Sequence, residues 1–344
     1  MSKTYTEAAA QFSMMKETLA FLRSREREWL NFYQRCDPSS LCFMACGSSY
    51  CICNSAERVA RMLLHKPSWS VTGGDMFLNE SYLPLLANAL MIAPSRSGST
   101  SEAVAAARRA KEAGAALAVI TLNENTPLSE LADYRIEMPW ANNHVICQTS
   151  CVQNLYLANL ILMLQLSGDK GVMPQIEAMI EKGGAFIAAN EEAIRAVARR
   201  DWNYAVLLAD ERAYGLALEG AMAFAEIANI KAHAYHVLDM RHGPIVLLDD
   251  KTLVLMLSAP EGLAHRQNLI DDMKKRGATV VTFSAEPLPI RADLCVSFGA
   301  AMDLEVAAMP MLFVAQALSC FKSEAAGRDP DEPNDLPPWI ELTI

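Results

Sequence analysis

Short apolar stretches alternate with amphipathic stretches along most of the chain. Over residues 5–35 the apolar side chains recur at helical spacing, which predicts one or two helices that end at Asp37-Pro38-Ser39-Ser40. The apolar run 41–46, the turn Gly47-Ser48-Ser49 and the amphipathic stretch 54–64 then predict a strand, a turn and a helix, in that order.

A second cycle of the same kind follows. The apolar run 89–94 leads into a serine-rich turn, Ser95-Arg96-Ser97-Gly98-Ser99-Thr100, which we call the serine loop. The predicted helix 101–113 and the predicted strand 116–122 come next. Strands that are apolar throughout and alternate with helices predict a parallel sheet that is covered on both faces.

The second half of the chain repeats this pattern, with predicted strands at 204–209, 252–257 and 279–283 and a predicted helix at 264–276. The residues between 168 and 200 are charged and helical in pattern, and they are interpreted as a linker.

A constant offset in residue number superposes the two halves, and places Cys46 on Ala209, Ser95 on Ser258 and Gly114 on Gly277. We therefore predict an α/β fold with two tandem units of the same topology, each a parallel β-sheet flanked by helices. The predicted organisation is a helical N-terminal segment (1–35), a first unit that binds phosphate (36–167), a helical linker (168–200), a second unit (201–328) and a C-terminal tail (329–344).

The overall charge argues against some partners. The formal net charge is −10, and no long block of Lys and Arg occurs, so neither nucleic acid nor an anionic membrane is an expected partner. The N-terminal residues lack an apolar signal core, and no run of 18 uncharged apolar residues is found. We therefore expect a protein that is neither secreted nor membrane-spanning, and that is cytoplasmic.

The cysteines are interpreted as buried, reduced thiols of a cytosolic protein. There are nine of them, an odd number, and several lie in apolar runs. Their spacing does not match the paired CxxC pattern of a zinc site, and no paired histidines accompany them. Neither a metal nor an organic cofactor is expected.

The serine loop is the first candidate for chemistry, because it follows a buried strand and opens a helix. Hydroxyl and N–H donors that converge at a helix N-terminus bind phosphate, and Gly98 permits an unusual backbone angle. Ser48 and Ser49 end the turn of the neighbouring strand and are expected at the same crevice. The alternative is an ordinary turn with helix caps.

The second half has lost these hydroxyls. The corresponding positions hold Asp210, Glu211 and Arg212, and then Ser258-Ala259-Pro260-Glu261. Because carboxylates repel a phosphate, the two halves are expected to have diverged, and the second half to do something else.

Two carboxylates and a histidine are candidates for that second task. Glu219, Ala223 and Glu226 fall on one helical stripe that is otherwise largely apolar. Such surroundings tend to raise a carboxyl pKa into the range useful for proton transfer. His242 precedes Gly-Pro and is expected in a turn. The alternatives are a surface carboxylate for Glu226 and an exposed loop residue for His242.

These motifs together resemble the sugar isomerase (SIS) domain family in its tandem arrangement, and in particular the isomerase half of glucosamine-6-phosphate synthase. The resemblance covers nearly the whole chain. It implies a three-layer, flavodoxin-like fold for each domain. The matching segments are Ala45-Cys46-Gly47-Ser48-Ser49-Tyr50, the serine loop, the helix from Leu218-Glu219-Gly220 to Glu226, Arg241-His242-Gly243-Pro244, and the tail from Asp329 to Leu336.

The resemblance implies a role for each residue. The phosphate ligands would be Ser48, Ser49, Ser95, Ser97 and Thr100, with an added charge from Arg96, where the synthase has Gln. Glu226 would move a proton between C1 and C2 of an open-chain sugar, and Glu219 would support it. His242 would come from the neighbouring subunit of a homodimer or higher homo-oligomer and act on a sugar hydroxyl, so that the active site is shared.

Two departures from the synthase change the expected reaction. Ala223 and Pro338 stand where the synthase has lysines, and neither a glutamine-hydrolysing domain nor its catalytic cysteine is recognised. This combination is similar to that of the fructosamine-6-phosphate deglycases, which release an amino acid and glucose 6-phosphate. Two alternatives stay open: an isomerase or deaminase of an amino-sugar phosphate, and a non-catalytic sugar-phosphate sensor. The sequence does not assign roles to His144 or Trp339.

Overall fold

The structure, a computed structural model, describes residues 1–333 of the 344-residue chain. Its strands are β1 (Ser40–Ala45), β2 (Ser68–Thr72), β3 (Ala89–Ser95), β4 (Ala116–Thr121), β5 (Tyr134–Glu137), β6 (Tyr204–Leu208), β7 (Lys231–Tyr235), β8 (Thr252–Leu257), β9 (Thr279–Ser284) and β10 (Leu294–Ser297).

The α-helices are α1 (Lys3–Ala9), α2 (Gln11–Ser24), α3 (Glu26–Cys36), α4 (Ser48–Leu64), α5 (Gly73–Leu78), α6 (Ser101–Glu112), α7 (Pro127–Leu131), α8 (Ser150–Ser167), α9 (Val172–Ala198), α10 (Tyr214–Ala228), α11 (Leu263–Lys275) and α12 (Leu304–Ala325). Short 3-10 helices lie at Glu80–Leu86, Pro139–Ala141, Glu211–Ala213, Leu238–Arg241 and Pro244–Leu247.

The ten strands form two five-stranded sheets, with the orders β2-β1-β3-β4-β5 and β10-β9-β8-β6-β7. All of the paired strands are parallel. Read from its other end, the second sheet has the same 2-1-3-4-5 order as the first, which is the flavodoxin-like arrangement. The predicted fold class, two tandem α/β units of one topology, is confirmed. The offset that places Ser95 on Ser258 also carries β2 (68–72) onto β7 (231–235) and β4 (116–121) onto β9 (279–284).

The chain divides into two compact units. We call residues 13–144 and 150–173 the first unit, and residues 1–12, 145–149 and 174–333 the second unit. The helix α1 therefore belongs with the second sheet. Its Tyr5 ring lies 4.6 Å from the ring of Phe321, and the N–H groups of Lys3 and Thr4 donate to the Asp331 carboxylate at 2.9 and 2.7 Å.

The first sheet is buried on both faces. Alternate residues of β1, β3 and β4 pack against α5 and α6, in a core that contains Cys42, Met44, Met91, Ala93, Leu117, Val119, Met76, Ala106 and Ala110. The intervening residues of these strands are also buried, and α4 and α8 contact the same strands. Burial on both faces explains why these strands are continuous apolar runs in the sequence.

The second sheet repeats this design. One face packs against α11 in a core that contains Val206, Leu208, Val254, Met256, Val280, Leu269, Ile270 and Met273. On the other side, α10 and α12 contact the strands and each other. Helix α12 is long and apolar enough to cross a membrane by composition, but 94% of its most apolar window is buried inside the protein. Such burial is typical of the core helix of a globular unit.

Several elements differ from their predicted bounds. The N-terminal segment contains three helices, α1 to α3, rather than one or two. Helix α4 begins at Ser48 rather than at residue 54, so Ser48 and Ser49 lie in its first turn. The strands β2, β5, β7 and β10 were not predicted. Those four include both edge strands of each sheet, and they are only partly buried, so they lack the long apolar run that marks a central strand.

Candidate active site

The serine loop lies at the point where the strand order of the first sheet reverses. From β1 the chain crosses to β2 on one side, and β3 then pairs with β1 on the other side, with Leu41 opposite Leu90 and Phe43 opposite Ile92. The carboxyl ends of β1 and β3 therefore flank one crevice, which in open α/β sheets is the usual place for a ligand.

Ser48 and Ser49 begin the 17-residue helix α4 at this crevice, and both are buried. The preceding residue, Gly47, has a φ of 55° and serves as the N-cap without a side chain of its own. The positive end of the helix dipole and two hydroxyl groups thus lie at the β1 side of the crevice.

The serine loop is shaped by its own hydrogen bonds. The Ser95 Oγ accepts from the Gly98 N–H at 3.0 Å, and the Ser97 Oγ accepts from the Ser99 N–H at 3.2 Å. The Arg96 carbonyl accepts from Asn123 Nδ2 at 3.0 Å. Thr100 is the N-cap of α6, but its side chain makes no capping hydrogen bond, so its hydroxyl is not used to cap the helix.

Gly98 is required by close packing as well as by its backbone angle. Its φ is 65°, and a Cβ placed there would lie 2.2 Å from Thr126 Oγ1. The Gly98 carbonyl accepts from the Leu128 N–H at 3.0 Å. Asn123, which donates to the loop, and Thr126, which packs against Gly98, were missed by the sequence analysis. A signal for Thr126 was present, since Thr-Pro at 126–127 is a helix start with Pro at the first position.

The two candidate carboxylates lie on helix α10 of the second unit. Glu219 is 1% exposed, and the adjacent Gly220 lets the helix pack closely, because a Cβ there would lie 2.3 Å from Leu207 Cδ2. Glu226 lies two helical turns further on, near the end of the helix, and is half-buried. Ala223 lies between them and is buried. The structure thus provides one enclosed and one accessible carboxylate on the same stripe.

His242 is exposed and lies in a turn, as its position before Gly-Pro predicted. The backbone N–H of His242 donates to the Asp239 carbonyl at 2.8 Å, and the next residue, Gly243, has a φ of 121°. Arg241 fixes this turn to α11 through an ion pair with Asp272 at 2.7 Å. Apolar side chains flank the histidine, with Leu238 46%, Val246 68% and Leu247 57% exposed.

The equivalent edge of the second sheet is acidic, but its acids are paired. Asp210 accepts from the Val237 N–H at 2.9 Å and lies 3.4 Å from Arg266 Nη2. Arg212 donates to the buried Glu305 at 3.0 Å. Carboxylates therefore occupy the place where the first sheet has serine hydroxyls.

The six candidate phosphate ligands all lie in the first unit, whereas Glu219, Glu226 and His242 lie in the second. Among the residues described, no cluster of three or more His, Cys, Asp or Glu side chains could hold a metal ion, and the cysteines are free. His144 is exposed. Pro338 and Trp339, along with the end of the predicted tail, lie outside the described residues.

The sequence is similar to those of curated glutamine–fructose-6-phosphate aminotransferases (isomerizing). The chain is 25% identical over 312 residues to a glutamine–fructose-6-phosphate aminotransferase (isomerizing) of Methanothermobacter thermautotrophicus, which covers 86% of this chain and 50% of that protein. A similar relative from Clostridium acetobutylicum is 26% identical and covers 85% of this chain and 50% of the relative. The chain thus spans about half the length of these curated relatives.

Solved structures share the fold over nearly the full chain. A glucosamine-6-phosphate deaminase from Thermotoga maritima has a TM-score of 0.82 at 22% identity and covers 99% of this chain and 100% of its own. A tagatose-6-phosphate ketose/aldose isomerase from Escherichia coli has a TM-score of 0.86 at 21% identity, covering 98% of this chain and 97% of its own.

The family assignment follows from the sequence match and the repeated topology together. The SIS domain matches residues 36–165 and again residues 200–320, which are the two segments that contain the two parallel sheets. This chain therefore belongs to the SIS domain family and carries two copies of the domain in tandem.

Proposed function

We propose that this chain is an enzyme that processes a sugar 6-phosphate, and specifically a fructosamine-6-phosphate deglycase. The observation that carries the proposal is the serine loop, whose residues 95–100 are held by internal hydrogen bonds at the reversal point of the first sheet. Such a loop at a helix N-terminus binds a phosphate group in many α/β proteins.

The phosphate is bound by hydroxyl and N–H donors together with one cation. Ser48 and Ser49 act from the start of α4, and Ser95, Ser97 and Thr100 act from the loop after β3. Arg96 adds a positive charge. Two helix N-termini, those of α4 and α6, point their dipoles at the same edge and favour an anion there.

Glu226 acts as the base on the bound substrate. A fructosamine 6-phosphate carries its amino acid nitrogen on C1 and a carbonyl at C2. Glu226 removes a proton from C1, which gives an enaminol, and return of the proton to C2 gives the imine of glucose 6-phosphate. Water adds to C1 of the imine, the C1–N bond breaks, and the amino acid and glucose 6-phosphate leave. Proton transfer and orientation suffice for each step, so the proposal includes no cofactor.

The preference for a deglycase rests on Ala223, which is small, buried and unable to carry a charge at the place where the resembling synthase has a lysine. In the proposed reaction the substrate itself supplies the nitrogen at C1. A lysine at this point of the stripe is therefore not needed. Glu219, buried one helical turn before Ala223, supports the orientation of the helix face that carries Glu226.

The second candidate is an isomerase or deaminase of an amino-sugar phosphate, which the names of the similar proteins favour: a glucosamine-6-phosphate deaminase and a tagatose-6-phosphate isomerase. It would use the same transfer of a proton between C1 and C2 without an amino acid adduct. A non-catalytic sensor would bind the sugar phosphate but would not turn it over.

A second copy of the chain completes the active site in this proposal. His242 is exposed, and three large apolar residues close to it along the chain, Leu238, Val246 and Leu247, are exposed as well. Exposed apolar residues of this kind are typical of a surface that docks another protein. We propose that this surface joins two copies in the cytoplasm, and that His242 of one copy acts on a sugar hydroxyl in the other. Mixing a Glu226→Gln variant with a His242→Ala variant should then restore part of the activity.

Product analysis with three substrates separates the candidates. The purified protein is incubated with fructoselysine 6-phosphate, glucosamine 6-phosphate or fructose 6-phosphate, and lysine, ammonia and glucose 6-phosphate are measured. Release of lysine and glucose 6-phosphate in equal amounts supports the deglycase. Ammonia from the second substrate, or glucose 6-phosphate from the third alone, supports the alternative enzyme. Binding without any product supports the sensor.

A further inference from the structure

The second unit contains a cavity that the proposed reaction does not use. It has a volume of about 360 Å³ and lies where β8, β9 and the start of α12 meet. Its walls are mostly apolar, with Leu257, Leu288, Met302 and Ala307 among them, and Ser258 and Ser284 add hydroxyl groups. This size and mixture of surfaces are typical of a site for a small ligand.

Ser258 is the most informative residue of the lining. It is 3% exposed, and its Oγ is buried without a hydrogen-bond partner among the residues that the structure describes. The same residue also lines a smaller adjoining cavity of about 80 Å³. Because an unsatisfied buried hydroxyl destabilises a protein, its presence beside a cavity indicates a partner supplied by a ligand.

The start of helix α12 gives this cavity a preference for a carboxylate. Leu304, the first residue of the 22-residue helix, lines the cavity. The N-cap residue, Asp303, makes no side-chain hydrogen bond to the helix, and its Oδ2 accepts from Gln175 Nε2 at 3.0 Å instead. The charge of the next residue, Glu305, is offset by Arg212 at 3.0 Å. The positive end of the dipole therefore favours a carboxylate group here, whereas the charge of Asp303 disfavours a ligand with a net negative charge.

The cavity also has a negative group at its mouth. Glu286 lines it and is exposed. Its carboxylate is suited to an ammonium group. A dianionic phosphate would be repelled by the same carboxylate, which separates this cavity from the serine loop.

We propose that this cavity binds a free α-amino acid with an aliphatic side chain. The carboxylate of the amino acid accepts from the Ser258 hydroxyl and the start of α12, the ammonium group pairs with Glu286, and the side chain packs against the apolar wall. The two charged groups of the ligand thus meet the two polar ends of the cavity.

Calorimetry with L-leucine and two truncated analogues tests this directly, using the full chain without any sugar phosphate. Isopentylamine lacks the carboxylate of leucine, and 4-methylpentanoate lacks its ammonium group. We expect leucine to bind, and each analogue to bind at least about 10-fold more weakly than leucine, because each lacks one of the two charged groups that contact the cavity. Inorganic phosphate should not compete.

Two variants locate the binding. Ser258→Ala should weaken leucine binding about 3- to 10-fold, and should raise the Tm of the ligand-free protein by roughly 1–3 °C, because it removes a buried hydroxyl that lacks a partner. Glu286→Gln, an exposed change, should weaken leucine and isopentylamine but not 4-methylpentanoate. Glu261→Gln, an exposed carboxylate outside the lining, is the matched control and should change nothing.

The proposal is overturned if leucine produces no binding heat at millimolar concentration, or if it binds with unchanged affinity to both Ser258→Ala and Glu286→Gln. Because turnover is not measured, failure here leaves the proposed deglycase reaction intact, and failure of that reaction leaves this binding intact.

Discussion

The loops that follow β3 and β8 occupy corresponding positions in two sheets of the same strand order, yet their serines are used differently. Ser95 Oγ accepts from the Gly98 N–H at 3.0 Å, whereas Ser258 Oγ is buried without a partner among the described residues. The first loop is thus shaped by its own hydrogen bonds. The second keeps a free hydroxyl beside a cavity. One topology therefore supports two kinds of site, and function follows the side chains rather than the fold.

The charged groups at the corresponding edges of the two sheets also differ. The first edge carries serine hydroxyls and Arg96, whereas Asp210 and Glu305 at the second edge are already paired with Arg266 and Arg212. In our account the first unit therefore holds the phosphate. In the proposed reaction, Glu226 on α10 of the second unit acts on the carbon atoms of the sugar.

Glu226→Gln should separate these two contributions and have the largest effect on activity. The amide keeps the size of the carboxylate but cannot accept the C1 proton, so turnover should fall about 100- to 10,000-fold. Binding of the sugar phosphate, measured as an increase in Tm, should persist. Glu192→Gln, which replaces an exposed glutamate in helix α9, is the control. Turnover within twofold of wild type would refute the role of Glu226.

Replacing one glycine in each loop compares the two backbones. Gly98 and Gly262 have φ values of 65° and 67°, but only at Gly98 would a Cβ meet a neighbour, at 2.2 Å from Thr126 Oγ1. Gly98→Ala should lower the free energy of unfolding by about 2–4 kcal/mol and weaken phosphate binding at least about 10-fold. Gly262→Ala should lower it by only about 1 kcal/mol. Chemical denaturation measures both, and equal losses would contradict the packing described.

Replacing one serine in each loop should give changes of opposite sign. Ser95→Ala leaves the Gly98 N–H without its acceptor and should lower the free energy of unfolding by about 1 kcal/mol. Ser258→Ala removes an unsatisfied hydroxyl and should raise that free energy slightly. Urea unfolding of the two variants measures the difference. A larger loss for Ser258→Ala would contradict the assignment of a free hydroxyl.

Lowering the pH should destabilise the second unit because Asp331 becomes protonated. This is the smallest of the four predicted effects. Burial alone would raise the pKa of Asp331, but the N–H groups of Thr4 and Lys3 and the Thr4 hydroxyl donate to its carboxylate, and the net pKa is lowered. Because its pKa is lower in the folded state than in the unfolded state, ionised Asp331 stabilises the folded protein above about pH 4. This stabilisation is lost as the pH falls through the folded-state pKa.

The acid effect is measured by comparing unfolding midpoints at pH 7 and pH 3. We expect the wild type to lose more stability on acidification than Asp331→Asn, which cannot titrate at this position. Asp250→Asn, which replaces an exposed aspartate, is the control and should lose as much stability between pH 7 and pH 3 as the wild type does. Equal losses for the wild type and Asp331→Asn would show that these contacts with α1 contribute nothing.

The fold and the repeat were predictable because the central strands are buried on both faces. Largely apolar runs of six residues, such as 41–46 and 252–257, are typical of buried strands. The constant offset in residue number related the strands of one half to those of the other. The edge strands were not predictable in the same way. Lys231–Tyr235 pairs on one side only and is half-exposed, so it leaves no continuous apolar run.

The candidate site was predictable only in part. The serine loop is marked by its local spacing, as is the turn that contains His242. Thr126, by contrast, is distant from Gly98 along the chain, beyond β4, and contacts it only through folding. The cavity beside Ser258 is likewise built from three separate elements, so no local pattern marks it.

The most direct test of the account is proton exchange at the sugar carbons. Fructoselysine 6-phosphate is incubated with the wild type and with Glu226→Gln in D₂O, and deuterium at C1 of the substrate and C2 of the released glucose 6-phosphate is followed by NMR. We predict deuterium at these carbons with the wild type, and none above the uncatalysed rate with Glu226→Gln. Deuterium incorporation by Glu226→Gln at the wild-type rate would contradict the central claim that Glu226 transfers the proton.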